Sequence, residues 1–267
     1  MTVTPFGSPK PSWGQQIQQQ SAPLFDFWVE VSRGNVPGVS TFLARGHNTD
    51  LDTGVEEDVW ETGGDLVYLT SAEKMNVASG SGDDAAAGTG LRTMLLVGVD
   101  NSGAEVSEVV VMDGASNVLS VNSYLRINLM VGLQVGSEGW NVGSVTATSQ
   151  TAGTVQASIG ATESISQNSH YTVPLGKSLL VVQAELNCAN NTARNIEFKA
   201  YARSGGNGNA WVQLFDKVLD TGVTDEIDVL LPFGNLSRER SDIRFRAVSS
   251  GNNSEVRTRM YGLVMNI

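Results

Sequence analysis

Apolar and polar residues alternate in short runs along most of this chain. Phe25, Phe27, Val29 and Val31 are interleaved with Asp26, Trp28, Glu30 and Ser32, the period of a half-buried strand. Further runs of this kind lie at 39–45, 60–70, 93–100, 106–112, 117–121, 124–135 and 140–148. The second half repeats the pattern at 178–187, 195–203, 211–219, 226–231, 242–248 and 255–264. In the run 178–187, Leu180, Val182, Ala184 and Leu186 share one face. Turn signals separate the runs: Pro37-Gly38, Asp100-Asn-Ser-Gly103, Asp113-Gly114, Gly136-Ser-Glu-Gly139 and Gly205-Gly-Asn-Gly-Asn. Asp113-Gly114 reads as a hairpin turn. The segments 242–248 and 255–264, joined across Ser249–Ser254, read as a final hairpin. Strands spaced about 8–12 residues apart fit a sandwich or jelly roll. The expected fold is all-β, with two β-sandwich or jelly-roll-like domains behind an extended N-terminal arm. The expected boundaries are residues 1–24 for the arm, 25–160 for a first, acidic sandwich and 161–267 for a C-terminal one.

The arm stands apart in composition. Pro5, Pro9, Pro11 and Pro23 break any helix, and Gln15-Gln-Ile-Gln-Gln-Gln is low in complexity. Phe6 and Trp13 are bulky for a spacer, so they are candidate anchors onto another subunit or protein. The stretch 75–92 is rich in Gly and Ala around Asp83-Asp84 and reads as a long connection, with one turn of helix at Ala85-Ala-Ala. It matches neither a Rossmann nor a Walker glycine pattern, and its two acids would repel a phosphate.

Composition narrows the chemistry. The 267 residues include 29 glycines, one cysteine (Cys188) and two histidines (His47, His170). That excludes an internal disulfide, and with so few soft ligands a zinc site of the usual spacing is not expected. No apolar run is long enough to span a membrane as a helix, and no secretory leader is expected. The net charge is −11, and residues 1–150 hold all of it (6 Lys+Arg against 17 Asp+Glu). The balance argues against nucleic acid and anionic membranes as partners.

Two charged constellations are candidates for function. Seven carboxylates fall within residues 50–65, and Asp50, Asp52, Asp83 and Asp84 are candidate oxygen ligands for Ca²⁺. Asp50-x-Asp52-x-Gly54 lacks the remaining signature of an EF-hand. Arg244 and Arg246, with Arg257 and Arg259 on the return strand, would share one sheet face fit to dock on acidic surface, unless acids of this chain neutralise them. Glycan hydrolysis would need two carboxylates facing each other, and neighbours such as Glu56, Glu57 and Asp58 along a strand point apart.

The stretches Arg45-Gly-His-Asn-Thr-Asp-Leu-Asp-Thr-Gly, Ser79-Gly-Ser-Gly-Asp-Asp-Ala-Ala-Ala-Gly-Thr-Gly, Ser123-Tyr-Leu-Arg-Ile-Asn128 and Tyr171-Thr-Val-Pro-Leu-Gly-Lys177 resemble virion structural proteins of tailed, marine-type bacteriophages. The resemblance extends over about residues 40–267. It implies a β-sandwich body, a homo-oligomer and attachment to the particle, as head decoration, fibre or tail component. No catalytic residue travels with it. The expectation is a non-enzymatic virion protein assembled in the host cytoplasm, a homotrimer in contact with other capsid or tail proteins. No cofactor is expected beyond the Ca²⁺ alternative. A second expectation is a module recognising host-surface glycan, with Trp140, Trp211 and Tyr124 as stacking candidates.

Overall fold

The computed structural model describes residues 24–189, 194–205, 208–220, 224–228 and 236–267. Phe6 and Trp13 lie outside these. The chain divides into a unit of residues 1–41 and a larger one of residues 42–267. Secondary structure is almost entirely antiparallel strand.

The first element departs from expectation. Leu24–Ser32 is a helix, α1, not a strand. Leu24, Phe27, Trp28 and Val31 follow i, i+3, i+4, i+7 spacing, so the same residues satisfy both periods. The local C-terminal signal decides. Gly34 adopts φ +76°, Asn35 N donates to Glu30 O, and Gly34 N donates to Val31 O. These are the paired bonds of a Schellman cap. The helix belongs to the 1–41 unit and not to a β-domain beginning at residue 25.

In the larger unit the chain first lays down β1 (Val39–Leu51, which begins in the smaller unit) and β2 (Glu56–Asp58). The expected strand at 60–70 is absent: apart from one bridge between Trp60 and Asn168, this segment makes no ladder. Seven strands follow: β3 (Glu73–Ser79), β4 (Leu91–Val99), β5 (Glu105–Val111), β6 (Val118–Tyr124), β7 (Arg126–Val135), β8 (Val145–Ser149) and β9 (Val155–Ile159). They form a four-stranded sheet, β6-β3-β8-β9, and a three-stranded sheet, β5-β4-β7. Met75, Val77, Met94, Leu96, Tyr124, Ile127, Met130 and Ala147 fill the space between them. Asp113-Gly114 is therefore not a hairpin. β5 pairs with β4 and β6 with β3, so this turn carries the chain from one sheet to the other.

The remaining strands are β10 (Tyr171–Thr172), β11 (Lys177–Cys188), β12 (Asn195–Arg203), β13 (Val212–Asp220), β14 (Thr224–Asp228), β15 (Leu236–Ser237), β16 (Asp242–Ser249) and β17 (Ser254–Asn266). One sheet runs β1-β17-β11-β14, with β15 also on β11; the other runs β10-β16-β12-β13, with β2 on β16. Phe42, Leu51, Leu186, Phe198, Phe245 and Met260 belong to the core they enclose. Strand pairing thus moves the boundary expected at residue 160. β2 pairs with β16 and β1 shares a sheet with β17, so residues 42–58 complete the C-terminal sandwich. The β3–β9 sandwich is an insertion within it.

Two further expectations change for the same reason, long-range pairing. β16 and β17 are consecutive but lie in opposite sheets, so they form no hairpin. In β11 the register slips between Val181 and Gln183 opposite Gly262. A Cβ on Gly262 would sit 2.0 Å from Leu180 O, so only glycine admits this approach. The bulge shifts the parity. Leu179 and Val181 point inward before it, and Ala184, Leu186 and Cys188 after it. The single face expected for Leu180, Val182, Ala184 and Leu186 does not form.

Candidate functional site

A cluster of buried ionisable groups lies where the inserted sandwich meets the terminal one. The non-ladder segment after β2 brings Tyr68 to this junction. Arg126, the first residue of β7, is buried; its Nη1 donates to Leu69 O at 2.8 Å and Leu125 O at 2.7 Å. Its guanidinium carbon lies 4.5 Å from the centre of the Tyr68 ring. Arg203, the last residue of β12, approaches Tyr68 at 4.5 Å and Trp211 at 4.4 Å. Arg244 on β16 lies 4.2 Å from Trp211. Two carboxylates balance part of this charge. Asp242 receives Arg203 Nε and Nη2, each at 2.7 Å, and Thr172 Oγ1 at 2.6 Å, with Arg126 Nε at 3.6 Å. Asp58 receives Arg244 Nη1 at 3.2 Å and the backbone N–H of Leu66 at 2.8 Å.

Backbone contacts seal the same junction. His170 Nε2 lies 2.9 Å from Ile127 O, and Asn128 and Thr172 exchange two hydrogen bonds at 2.8 and 2.9 Å. Burial sets the ionisation here. It lowers His170 to about 4, so this imidazole is neutral at pH 7 and its Nε2–H is the donor. Burial raises Asp58 above the usual carboxylate range despite Arg244, and lowers Arg126 despite Asp242. The Tyr68 hydroxyl is sealed from solvent and far harder to ionise than an ordinary phenol. Stacked guanidinium groups over aromatic rings, with hydrogen-bonded acids, make a cross-sandwich lock.

Three sites predicted from sequence do not assemble. Arg244 and Arg246 stand on one sheet of the terminal sandwich and Arg257 and Arg259 on the other, so the four share no face. Each has an acid partner in this chain. Arg244 takes Asp58, Arg246 takes Glu56 and Asp65, Arg257 takes Glu255, and Arg259 takes Glu185. The docking-face expectation for Arg244 and Arg246 is corrected accordingly, since the acidic loop of the first half covers them.

The four aspartates proposed for Ca²⁺ are also split. Asp50 and Asp52 edge an open depression of about 460 Å³ with Glu56, Glu57 and Asp65. Asp83 and Asp84 follow β3 in the inserted sandwich, and Asp83 is exposed. Asp84 is fully buried, and four donors occupy its carboxylate. Leu91 N (2.7 Å) and Val142 N (2.9 Å) reach Oδ1; Ser79 Oγ (2.6 Å) and Gly143 N (2.9 Å) reach Oδ2. Burial opposes ionisation, but these donors outweigh it and hold the acid below its ordinary range. Asp84 therefore ties the β3–β4 connection to the β7–β8 loop, and no helical turn forms at Ala85, which bridges Asp113. No group of three or more acid, His or Cys side chains suited to a metal occurs among the described residues.

The three aromatic candidates for glycan stacking are likewise dispersed. Trp140 is 48% exposed in a loop of the inserted sandwich. Trp211 is clamped between arginines of the lock. Tyr124 is buried and its hydroxyl donates to Glu108 at 2.9 Å. The acids at 56–58 divide as strand alternation requires: Glu56 and Asp58 both reach Arg246, and Glu57 faces the other way. Glu56 binds Lys199 and Arg246, Glu57 accepts from Asp52 N and Gly64 N, and Asp58 turns to Arg244.

Sequence reasoning missed the lock. One signal was present: Arg126 has the same parity as inward-facing Tyr124, a charge where the pattern asks for an apolar residue. No family model, curated protein or solved structure matches this chain.

Proposed function

We propose that this chain is a non-enzymatic structural component of a tailed-phage virion, displayed on or cementing the particle as a double β-sandwich body. One observation supports the non-enzymatic half of the reading: among the described residues, the buried acids Asp84 and Asp242 and both histidines are engaged in holding strands together. Asp84 accepts four hydrogen bonds, Asp242 joins Arg203 to Thr172, and His170 is spent on Ile127 O. His47 lies between Glu61 at 3.3 Å and Glu255 at 3.0 Å. A general acid or base needs a free position facing substrate, and these have protein partners instead. The virion assignment rests on the sequence resemblance over about residues 40–267. A cross-braced all-β body suits a part whose work is mechanical.

The test is direct. Phage particles produced by a host expressing this chain's parent genome are purified on a density gradient and their proteins counted by quantitative mass spectrometry. The chain is expected in a fixed ratio to the major capsid or tail proteins. Its recovery only in the soluble lysate would overturn the reading.

A further inference from the structure

Two connections join the inserted sandwich to the terminal one. The entry, residues 59–72, runs from β2 to β3, and the exit, residues 160–170, runs from β9 to β10. They meet in a neck: Trp60 bridges Asn168, and Ser169 N donates to Val59 O at 3.1 Å. β1 passes close beside this neck at Gly46. A Cβ there would stand 2.4 Å from Val59 O and 2.6 Å from Ser169 Cβ, so only glycine admits the approach.

The next residue, His47, is buried and has a carboxylate at each ring nitrogen. Nε2 lies 3.0 Å from Glu255 Oε1 on β17. Nδ1 lies 3.3 Å from Glu61 Oε2 of the entry connection, an ion-pair contact rather than an aligned hydrogen bond. The other oxygen of Glu61 rests on the exit connection, where a Cβ at Gly160 would stand 2.5 Å from Oε1. Ionised carboxylates only accept, and a neutral imidazole has one N–H and one lone pair. A neutral ring therefore turns its lone pair on one of the two acids, and only the imidazolium suits both. Glu61 accordingly raises the ring's affinity for a proton and Glu255 adds to it, against burial and the Arg257 guanidinium. The other charged groups at this place are Arg257, 3.0 Å from Glu255 on β17, Glu163 of the exit connection, whose side chain also packs at Gly160, and Arg45 on β1 itself.

The neck carries strain of its own. Thr162 and Ser164 stand at φ +68° and +55°, the left-handed region that a β-branched residue such as threonine rarely enters. The side-chain amide of Asn168 is buried, and neither its nitrogen nor its oxygen is hydrogen-bonded among the described residues. Segments of this kind open at lower cost than the cores they join.

We propose that His47 is a proton-operated latch: its imidazolium pins Glu61, and with it the neck, to β1 and β17, and loss of that proton opens the neck locally while both sandwich cores stay folded. The latch is closed below about pH 6.5 and opens as pH rises through the higher value that His47 has in the folded chain. It does not depend on the virion reading.

Amide hydrogen exchange of the full chain from about pH 6 to 9 tests this, with rates corrected for base catalysis and β4 and β12 as internal references. Protection of residues 59–70 and 160–170 is expected to hold at the acid end and to fall by roughly fivefold or more across the transition, with the references unchanged. The midpoint should coincide with that of His47 itself, followed by its ring-proton resonances. His47→Gln is expected to show the alkaline level of exchange at every pH, and Glu61→Gln to flatten the profile; near-ultraviolet circular dichroism checks that each is folded. Protection of the neck that ignores pH in the unmutated chain overturns the proposal. So does an equal fall in β4 and β12, a His47 midpoint at or below about pH 6.5, or an unmutated pH profile retained by either variant.

Discussion

At the scale of single residues, buried polar groups here are positioned by close backbone approach. Asp84 is reached by three N–H groups and a hydroxyl because Gly90 lies against it: a Cβ at Gly90 would stand 2.1 Å from Asp84 Oδ1. Gly90→Ala and Asp84→Ala should each destabilise the chain by about 2–4 kcal/mol, since either leaves several buried donors without an acceptor. Urea denaturation followed by circular dichroism measures this. The two histidines should give opposite pH dependences. His170 is held near 4 by burial. The unfolded chain therefore takes up a proton at this position between about pH 6.5 and 4 that the folded chain refuses. Stability falls as pH drops through that window, by an amount on the order of 3 kcal/mol. His170→Gln, which keeps a donor for Ile127 O, should flatten the slope. His47 is raised, chiefly by Glu61, with Glu255 adding to it. Its contribution is complete below about pH 6.5 and disappears as pH rises through its elevated folded value. His47→Gln should abolish that alkaline loss and leave the acid limb intact.

At the scale of elements, the junction converts two sandwiches into one braced body. Arg203 is its hinge pin, touching Asp242, Tyr68 and Trp211 together. Arg203→Met removes the cation from a buried acid and should cost about 3–5 kcal/mol. Intrinsic fluorescence should change as Trp211 loses its clamp. Adding Asp242→Asn should recover part of the loss, because the uncompensated charge goes with it, and a double-mutant cycle reads that coupling. The strands themselves were largely legible: β4, β5, β11, β12, β16 and β17 fall where alternation placed them, within a few residues, whereas β3 (Glu73–Ser79) occupies the start of the stretch read as a long connection. α1 was not, because its apolar spacing fits both periods and a cap decided between them. The segment 60–70 was not either. Its apolar residues Leu66 and Leu69 are buried without a ladder, and burial alone mimics a strand in sequence.

At the scale of the whole molecule, the chain is an insertion: strands 42–58 and 171–266 close one sandwich around another. Severed pieces should behave unequally. Residues 66–160 contain every strand and nearly the whole core of the inserted sandwich, and should fold cooperatively alone. Residues 161–267 lack β1 and β2, leaving β17 and β16 without those partners, and should be aggregation-prone or unfolded. Heteronuclear NMR of the two pieces separates these outcomes.

Alternation, turn residues and composition by themselves determined an all-β sandwich protein with no internal disulfide and an acidic first half. Those properties are local, set by side-chain period and backbone preference within a few residues. The tertiary structure alone decided which strands pair, that β16 and β17 part into opposite sheets, and that the acids of residues 56–65 neutralise Arg244 and Arg246. It also decided that Asp84 is a buried staple. Each depends on residues up to about two hundred positions apart meeting in space, and the period of a strand carries no record of its partner.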